Sequence, residues 1–83
     1  MKLRYFAWVR ERAGIAEEEV TLPGGIDTVG QLIGWLRTRG PEFEHAFESA
    51  DTIRAAIDLS HAGHDAKLAG AREIAFFPPV TGG

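Results

Sequence analysis

The chain has 83 residues, a mass of 9.0 kDa and a formal net charge of −3, from 9 Lys plus Arg against 12 Asp plus Glu. That length allows one domain with one small core and leaves little room for an enclosed cleft. The absence of Cys excludes a disulfide, a Cys-ligated zinc, an iron–sulfur cluster and a thiol nucleophile. The acidic balance argues against a nucleic-acid partner. No apolar run approaches the roughly 20 residues that span a bilayer, so no membrane partner is expected. The start, Met1-Lys2-Leu3-Arg4-Tyr5, lacks the apolar stretch of a secretory signal, and a cytoplasmic location is expected.

In chain order, residues 2–10 predict a strand. Leu3, Tyr5, Ala7 and Val9 lie on one face by the period-2 rule; Lys2, Arg4, Phe6, Trp8 and Arg10 lie on the other. Arg12-Ala13-Gly14 reads as a turn, and Glu18–Leu22 as a second strand with Val20 and Leu22 inward. Their closeness predicts an antiparallel hairpin, stopped by Pro23-Gly24-Gly25. A helix follows: Thr28 and Gln31 have capping-box spacing, and Val29, Leu32, Ile33 and Leu36 form one apolar stripe. Gly40 and Pro41 end it. Phe43, Ala46, Phe47 and Ala50 mark a shorter helix over 42–50.

The last third returns to strands. Ile53, Ala55, Ile57 and Leu59 alternate with Thr52, Arg54, Ala56 and Asp58. Residues 60–65 read as a loop or short hairpin, Leu68 as an isolated apolar plug, and residues 72–77 as the final strand. Pro78 and Pro79 cannot donate to a ladder, so pairing should stop there. The expected fold is α+β, a mixed sheet of four to five strands with one main helix across one face and a short second helix. With the first and last strands paired in the middle, this is the β-grasp, the fold of ubiquitin. The expected division is a domain over 1–77 and a flexible tail over 78–83.

Few side chains suggest chemistry. Glu17-Glu18-Glu19 are consecutive, so their carboxylates diverge; they read as a solvated strand start. His61, His64 and Asp65 are too loosely spaced to define a metal site, and none is expected. Ser49 and Ser60 have no recognisable base partner. Gly24-Gly25 lacks the surrounding pattern of a phosphate loop. The tail differs, because Pro78-Pro79-Val80-Thr81-Gly82-Gly83 carries a terminal carboxylate. Two prolines stiffen its exit from the sheet. Two glycines can thread a narrow channel in a partner and leave the final carboxyl carbon open to attack. Six extended residues reach at most roughly 20 Å, far enough to enter another protein's active site.

At these residues the chain resembles the MoaD family, the small subunits of molybdopterin synthase. Phe76-Phe77-Pro78-Pro79-Val80-Thr81-Gly82-Gly83 is similar to that family's C-terminal signature, and residues 6–14 are similar to its first strand and turn. The chain departs from the family pattern at Asp58, where Asn is usual, and at Ala71-Arg72, where a Gly-Asp turn is common. The resemblance implies a sulfur carrier that is part of an enzyme but not catalytic alone. An ATP-dependent activating enzyme (MoeB-like) would adenylate Gly83, and the adenylate would become a thiocarboxylate. That group would donate sulfur to cyclic pyranopterin monophosphate to form the molybdopterin dithiolene. Gly83 and Gly82 are the implied reactive end, and Pro78, Pro79, Val80 and Thr81 the inserted tail. The chain itself would bind no cofactor. A larger subunit (MoaE-like) would supply the pocket, in a heterotetramer of two small and two large subunits. Phe6, Trp8 and Phe77, rimmed by Arg10, Arg54 and His61, are the expected docking surface, since large aromatics are enriched at interfaces. The alternatives are a sulfur carrier for thiamine thiazole or tRNA thiolation, a ubiquitin-like protein modifier, and a plain binding module whose tail is inert.

Overall fold

The structure is a computed structural model and describes residues 1–79. The chain runs β1 (Lys2–Tyr5), α1 (Ala7–Ala13), β2 (Glu17–Glu19), α2 (Val29–Leu36), α3 (Pro41–Ala46), β3 (Arg54–Ile57), β4 (Ser60–Ala62) and β5 (Glu73–Phe77), with 3-10 turns at Arg37–Arg39 and Ala50–Thr52. The strands form one mixed sheet in the order β2-β1-β5-β3-β4. β1 and β5 run parallel, from Lys2 opposite Glu73 to Tyr5 opposite Phe76. The other pairs are antiparallel. The first and last strands therefore meet in the middle, as the sequence predicts, and the fold is a ubiquitin-like β-grasp.

Alternation decides which face is covered. Leu3, Tyr5, Ala55, Ile74 and Phe76 are buried with Val29, Leu32, Ile33 and Leu36 of α2 in one core. At its centre Tyr5 stacks on Phe76 (6.1 Å between ring centroids), and Phe47 meets Phe76 edge-on at 5.3 Å. Leu68 is buried, so the lone plug is real. α2 opens with the predicted capping box. Gln31 N–H donates to Thr28 Oγ1 at 3.2 Å, and Thr28 N–H donates to Gln31 Oε1 at 3.1 Å.

The first strand is shorter than its alternation suggests. It ends at Tyr5; Phe6 is extended and caps α1, and Ala7 turns out of the sheet with a φ of 52°. Val9 and Ala13, four apart, are buried on the helix's inner side, and Gly14 closes it at a φ of 86° with its N–H on Arg10 O at 2.9 Å. Residues 7–13 hold strong helix formers, Ala, Arg and Glu. Beyond Phe77 the central strand offers only prolines, which donate nothing to a longer ladder. The second strand covers Glu17–Glu19 where Glu18–Leu22 is predicted; Val20 and Leu22 still pack against the core from the loop.

β3 and β4 join through a two-residue turn, Asp58-Leu59, with φ of 47° and 73°. Both are left-handed, as a type I′ hairpin requires. Leu59 therefore leaves the inward alternation and is 82% exposed. Asp58 Oδ1 accepts from Arg72 N–H (3.0 Å) and Glu73 N–H (2.9 Å), which ties the turn to the start of β5. Aspartate thus supplies an acceptor there, as asparagine could. A branched side chain in the left-handed region costs about 1 kcal/mol, and Leu59 regains nothing from burial. Leu59→Gly should therefore raise the urea unfolding midpoint by the equivalent of about 0.5–1 kcal/mol. A lower midpoint in that variant would contradict the strain argument.

Candidate functional site: the open sheet face at the root of the tail

The helices cover one face of the sheet, and the side chains of opposite parity form the other. The register sorts them into rows. At the end where β5 leaves the sheet, Phe77 lies opposite Arg54. Phe6 continues β1 beside it, with its N–H on Phe76 O at 3.0 Å. One row back stand Glu17, Arg4, Ala75, Ala56 and His61, each opposite the next. The His61 ring meets Phe77 edge-on at 5.4 Å, and the Arg4 guanidinium lies 5.2 Å from the centre of the Phe6 ring. Phe6 is 38% exposed and Phe77 is half-buried.

Charge divides this face. Over β2 and β1 it is matched within the chain: Lys2 Nζ lies 3.4 Å from Glu17, and Arg4 lies 3.7 Å from Glu17 and 3.5 Å from Glu73. Over β3 and β4 it is not. Among the described residues neither Arg54 nor His61 forms an ion pair.

Four of the six expected docking residues, Phe6, Arg54, His61 and Phe77, thus share one face around the start of the tail. Trp8 and Arg10 do not lie on the sheet, because α1 begins at Ala7. Trp8 packs half-buried against the core with the Arg12 guanidinium 4.4 Å from its ring, and Arg10 is exposed on the helix. Pro78 and Pro79 follow Phe77 directly and are half-buried. Val80, Thr81, Gly82 and Gly83 lie outside the described residues. His64 is apart from this face. Its Nε2 lies 2.7 Å from Ile53 O, and its own carbonyl accepts Gly30 N–H at 2.8 Å, so it fastens α2 to β3.

One charged cluster overturns its predicted role. Glu18 is not a solvated strand start. It accepts Tyr5 O–H at 2.8 Å and both Nη1 (2.7 Å) and Nη2 (2.8 Å) of Arg39. The Arg39 guanidinium also lies 4.7 Å from the Phe43 ring. The signal is visible in the sequence, since Glu18 shares parity with the inward Val20 and Leu22.

The Arg39 bonds are the main cause that holds the Glu18 carboxyl below its usual range, while burial pushes the Tyr5 phenol up. A depressed carboxyl contributes stability that is present above the unfolded value and lost as pH falls through the folded one. A raised phenol contributes stability that is present below about 10 and lost as pH rises further. Glu18→Gln should cost about 1–3 kcal/mol at neutral pH. It should also flatten the acid limb of a stability-versus-pH curve measured by urea unfolding. An acid limb as steep as in the unsubstituted chain would disprove the assignment.

With this geometry in hand, the relatives are informative. The ThiS family profile matches residues 3–83. The chain is 34% identical over 83 residues to the molybdopterin synthase sulfur carrier subunit of Escherichia coli (strain K12), covering 100% of this chain and 99% of that one. Among solved structures it superposes on small archaeal modifier protein 1 (SAMP1) of Haloferax volcanii with a TM-score of 0.72 and 30% identity, over 100% of this chain and 98% of that one. It also superposes on a Pyrococcus furiosus protein described provisionally as molybdopterin converting factor, subunit 1, with a TM-score of 0.72 and 28% identity, over 95% of each chain. Sequence similarity from end to end and a shared β-grasp fold agree, and the chain belongs to the ThiS family.

Proposed function

We propose that this chain is the sulfur carrier subunit of a molybdopterin synthase. The observation that carries the reading is the 34% identity, over the whole chain, to the E. coli subunit of that name. The fold supplies the physical logic. β5 delivers the chain at Phe77 to one end of an open face, and six residues follow, reaching at most roughly 20 Å.

A carboxylate is a poor electrophile. The Gly83 carboxylate attacks the α-phosphorus of ATP in the activating enzyme and expels pyrophosphate, which gives an acyl-adenylate. A sulfur nucleophile at the sulfide level then attacks the acyl carbon, AMP leaves, and a thiocarboxylate remains. Its polarizable sulfur is the group passed to cyclic pyranopterin monophosphate in the larger subunit. Two sulfurs complete a dithiolene, so two loaded carriers act per product. Gly83 thereby serves as a covalent group carrier, and charge stabilisation at the reacting centre falls to the larger subunit. Phe6, Phe77, Arg54 and His61 form the docking surface, with Trp8 and Arg10 on the adjoining helix. No helix among the described residues is long and apolar enough to cross a membrane.

The test is an intact mass after incubation with the activating enzyme, ATP and a sulfur donor. The expected spectrum shows one oxygen replaced by sulfur, and an unchanged mass would refute the proposal. The superposition on SAMP1, a modifier by name, favours a second reading, in which Gly83 is joined to lysines of other proteins. That reading requires conjugates that survive on denaturing gels, whereas a carrier migrates as the free chain.

A further inference from the structure

We infer that the terminal row of the open face is graded from apolar to basic across the strands. On this view the protein that accepts the tail lays an apolar element over the tail-side ends of β2, β1 and β5 and sets carboxylates over β3 and β4. The inference rests on the carrier reading above. Tyr5 N–H donates to Ala16 O at 2.8 Å, which carries the β1–β2 register one step past Arg4 opposite Glu17. The next step puts Ile15 opposite Phe6. Ile15 is 37% exposed, and with Phe6 and Leu59 it is one of three large hydrophobic residues exposed among those described. The terminal row of the face therefore reads Ile15, Phe6, Phe77, Arg54 from β2 to β3, with His61 one row behind. Three apolar side chains stand side by side, and the positive charge begins where they stop.

The charge distribution identifies the occupant. The whole chain carries −3, yet among the described residues neither Arg54 nor His61 at this corner is ion-paired with a carboxylate. Lys2 and Arg4, farther along the face, are already matched by Glu17 and Glu73. A partner gains nothing by presenting acid there and gains by presenting it over β3 and β4. A second copy of this chain is a poor fit, since the carboxylates on its own open face are engaged and its exposed corner is like-charged. The tail fixes the position. It starts just past Phe77 and reaches at most roughly 20 Å, so a protein that draws Gly83 into its active site sits close to this row. Contiguous apolar side chains rimmed by charge are the expected form of such a seat.

The experiment is calorimetric titration of the full chain into the larger synthase subunit at two salt concentrations. Arg54→Glu should weaken binding roughly tenfold and reduce its salt dependence. His61→Glu should act in the same direction, and Ile15→Ser should weaken binding roughly fivefold with the salt dependence unchanged. Lys67→Glu makes the same change of charge in the loop beside the start of α2 and should bind as the unsubstituted chain does. Urea midpoints equal to that of the unsubstituted chain verify that each variant is folded. Arg54→Glu or Ile15→Ser binding at full strength would overturn the grading while leaving the carrier reading intact. If the unsubstituted chain does not bind the larger subunit at all, the assignment to molybdopterin synthase falls first. The grading then has to reappear with the activating enzyme, and its absence there overturns it too.

Discussion

Removing Gly83 should abolish sulfur loading and leave the unfolding curve unchanged. The acyl carbon that must meet the adenylating phosphorus, and later the sulfur donor, belongs to the last residue. Without it the carboxylate of Gly82 stops up to roughly 3.5 Å short. A misplacement of about 1 Å can already cost on the order of a hundredfold in a positioned reaction. No other carboxylate can substitute, because Asp and Glu side chains on the domain cannot be threaded into a partner's channel. Gly83→Ala tests the same point more gently: a methyl group beside the acyl carbon restores the reach and introduces steric bulk, so loading should be slowed but measurable. Intact mass reports loading, and thermal unfolding reports the fold. Undiminished sulfur transfer by the shortened chain would remove the terminal carboxylate from the mechanism.

The second large effect separates two neighbours. Phe76 is fully buried, stacked on Tyr5 and edge-on to Phe47. Phe76→Ala should destabilise the chain by roughly 3–5 kcal/mol, a large share of the roughly 4–12 kcal/mol that a domain of this size commands. Phe77 points to the opposite face, against His61 and beside Phe6. Phe77→Ser should leave the urea midpoint within about 1 kcal/mol of the unsubstituted value and weaken association with the larger subunit. One residue of displacement along a strand thus exchanges a folding phenotype for a binding one. If Phe77→Ser unfolds the chain, Phe77 is core and the docking assignment is wrong.

The parts legible in the sequence were those with local and redundant signals. α2 carries a capping box and an apolar stripe within nine positions of one another, from Thr28 to Leu36, whereas the predicted Gly40-Pro41 stop closes the 3-10 turn after it and opens α3. The central pairing of β1 with β5 followed from the order of elements. Phe6 and Trp8 stand out in the sequence as large aromatics on an otherwise charged face, and of the two only Phe6 stays beside the sheet. The failures were places where a distant partner decides. Leu3, Tyr5, Ala7 and Val9 alternate as a strand should, but Val9 and Ala13 also satisfy a helix. The choice is made by β5, which ends in prolines and offers no ladder past Phe77. Glu18 looked like one of three solvated acids because its two partners, Tyr5 and Arg39, are 13 and 21 residues away. Leu59 looked like a fourth inward residue because alternation says nothing about where a hairpin turns.

The central position of β5 has a consequence for how the tail is held under load. The strand is bonded on both sides, to β1 in parallel and to β3 in antiparallel register. Its amides should therefore be among the slowest in the molecule to exchange with solvent, opening only when the whole domain opens. An enzyme that grips Gly83 and pulls must shear two ladders together, with Phe76 locked between rings at the point of attachment. Fraying of the edge strands β2 and β4 cannot slacken that anchor. Under the proposed function, the two enzymes that take the terminus in turn would each meet it hung from the same fixed point.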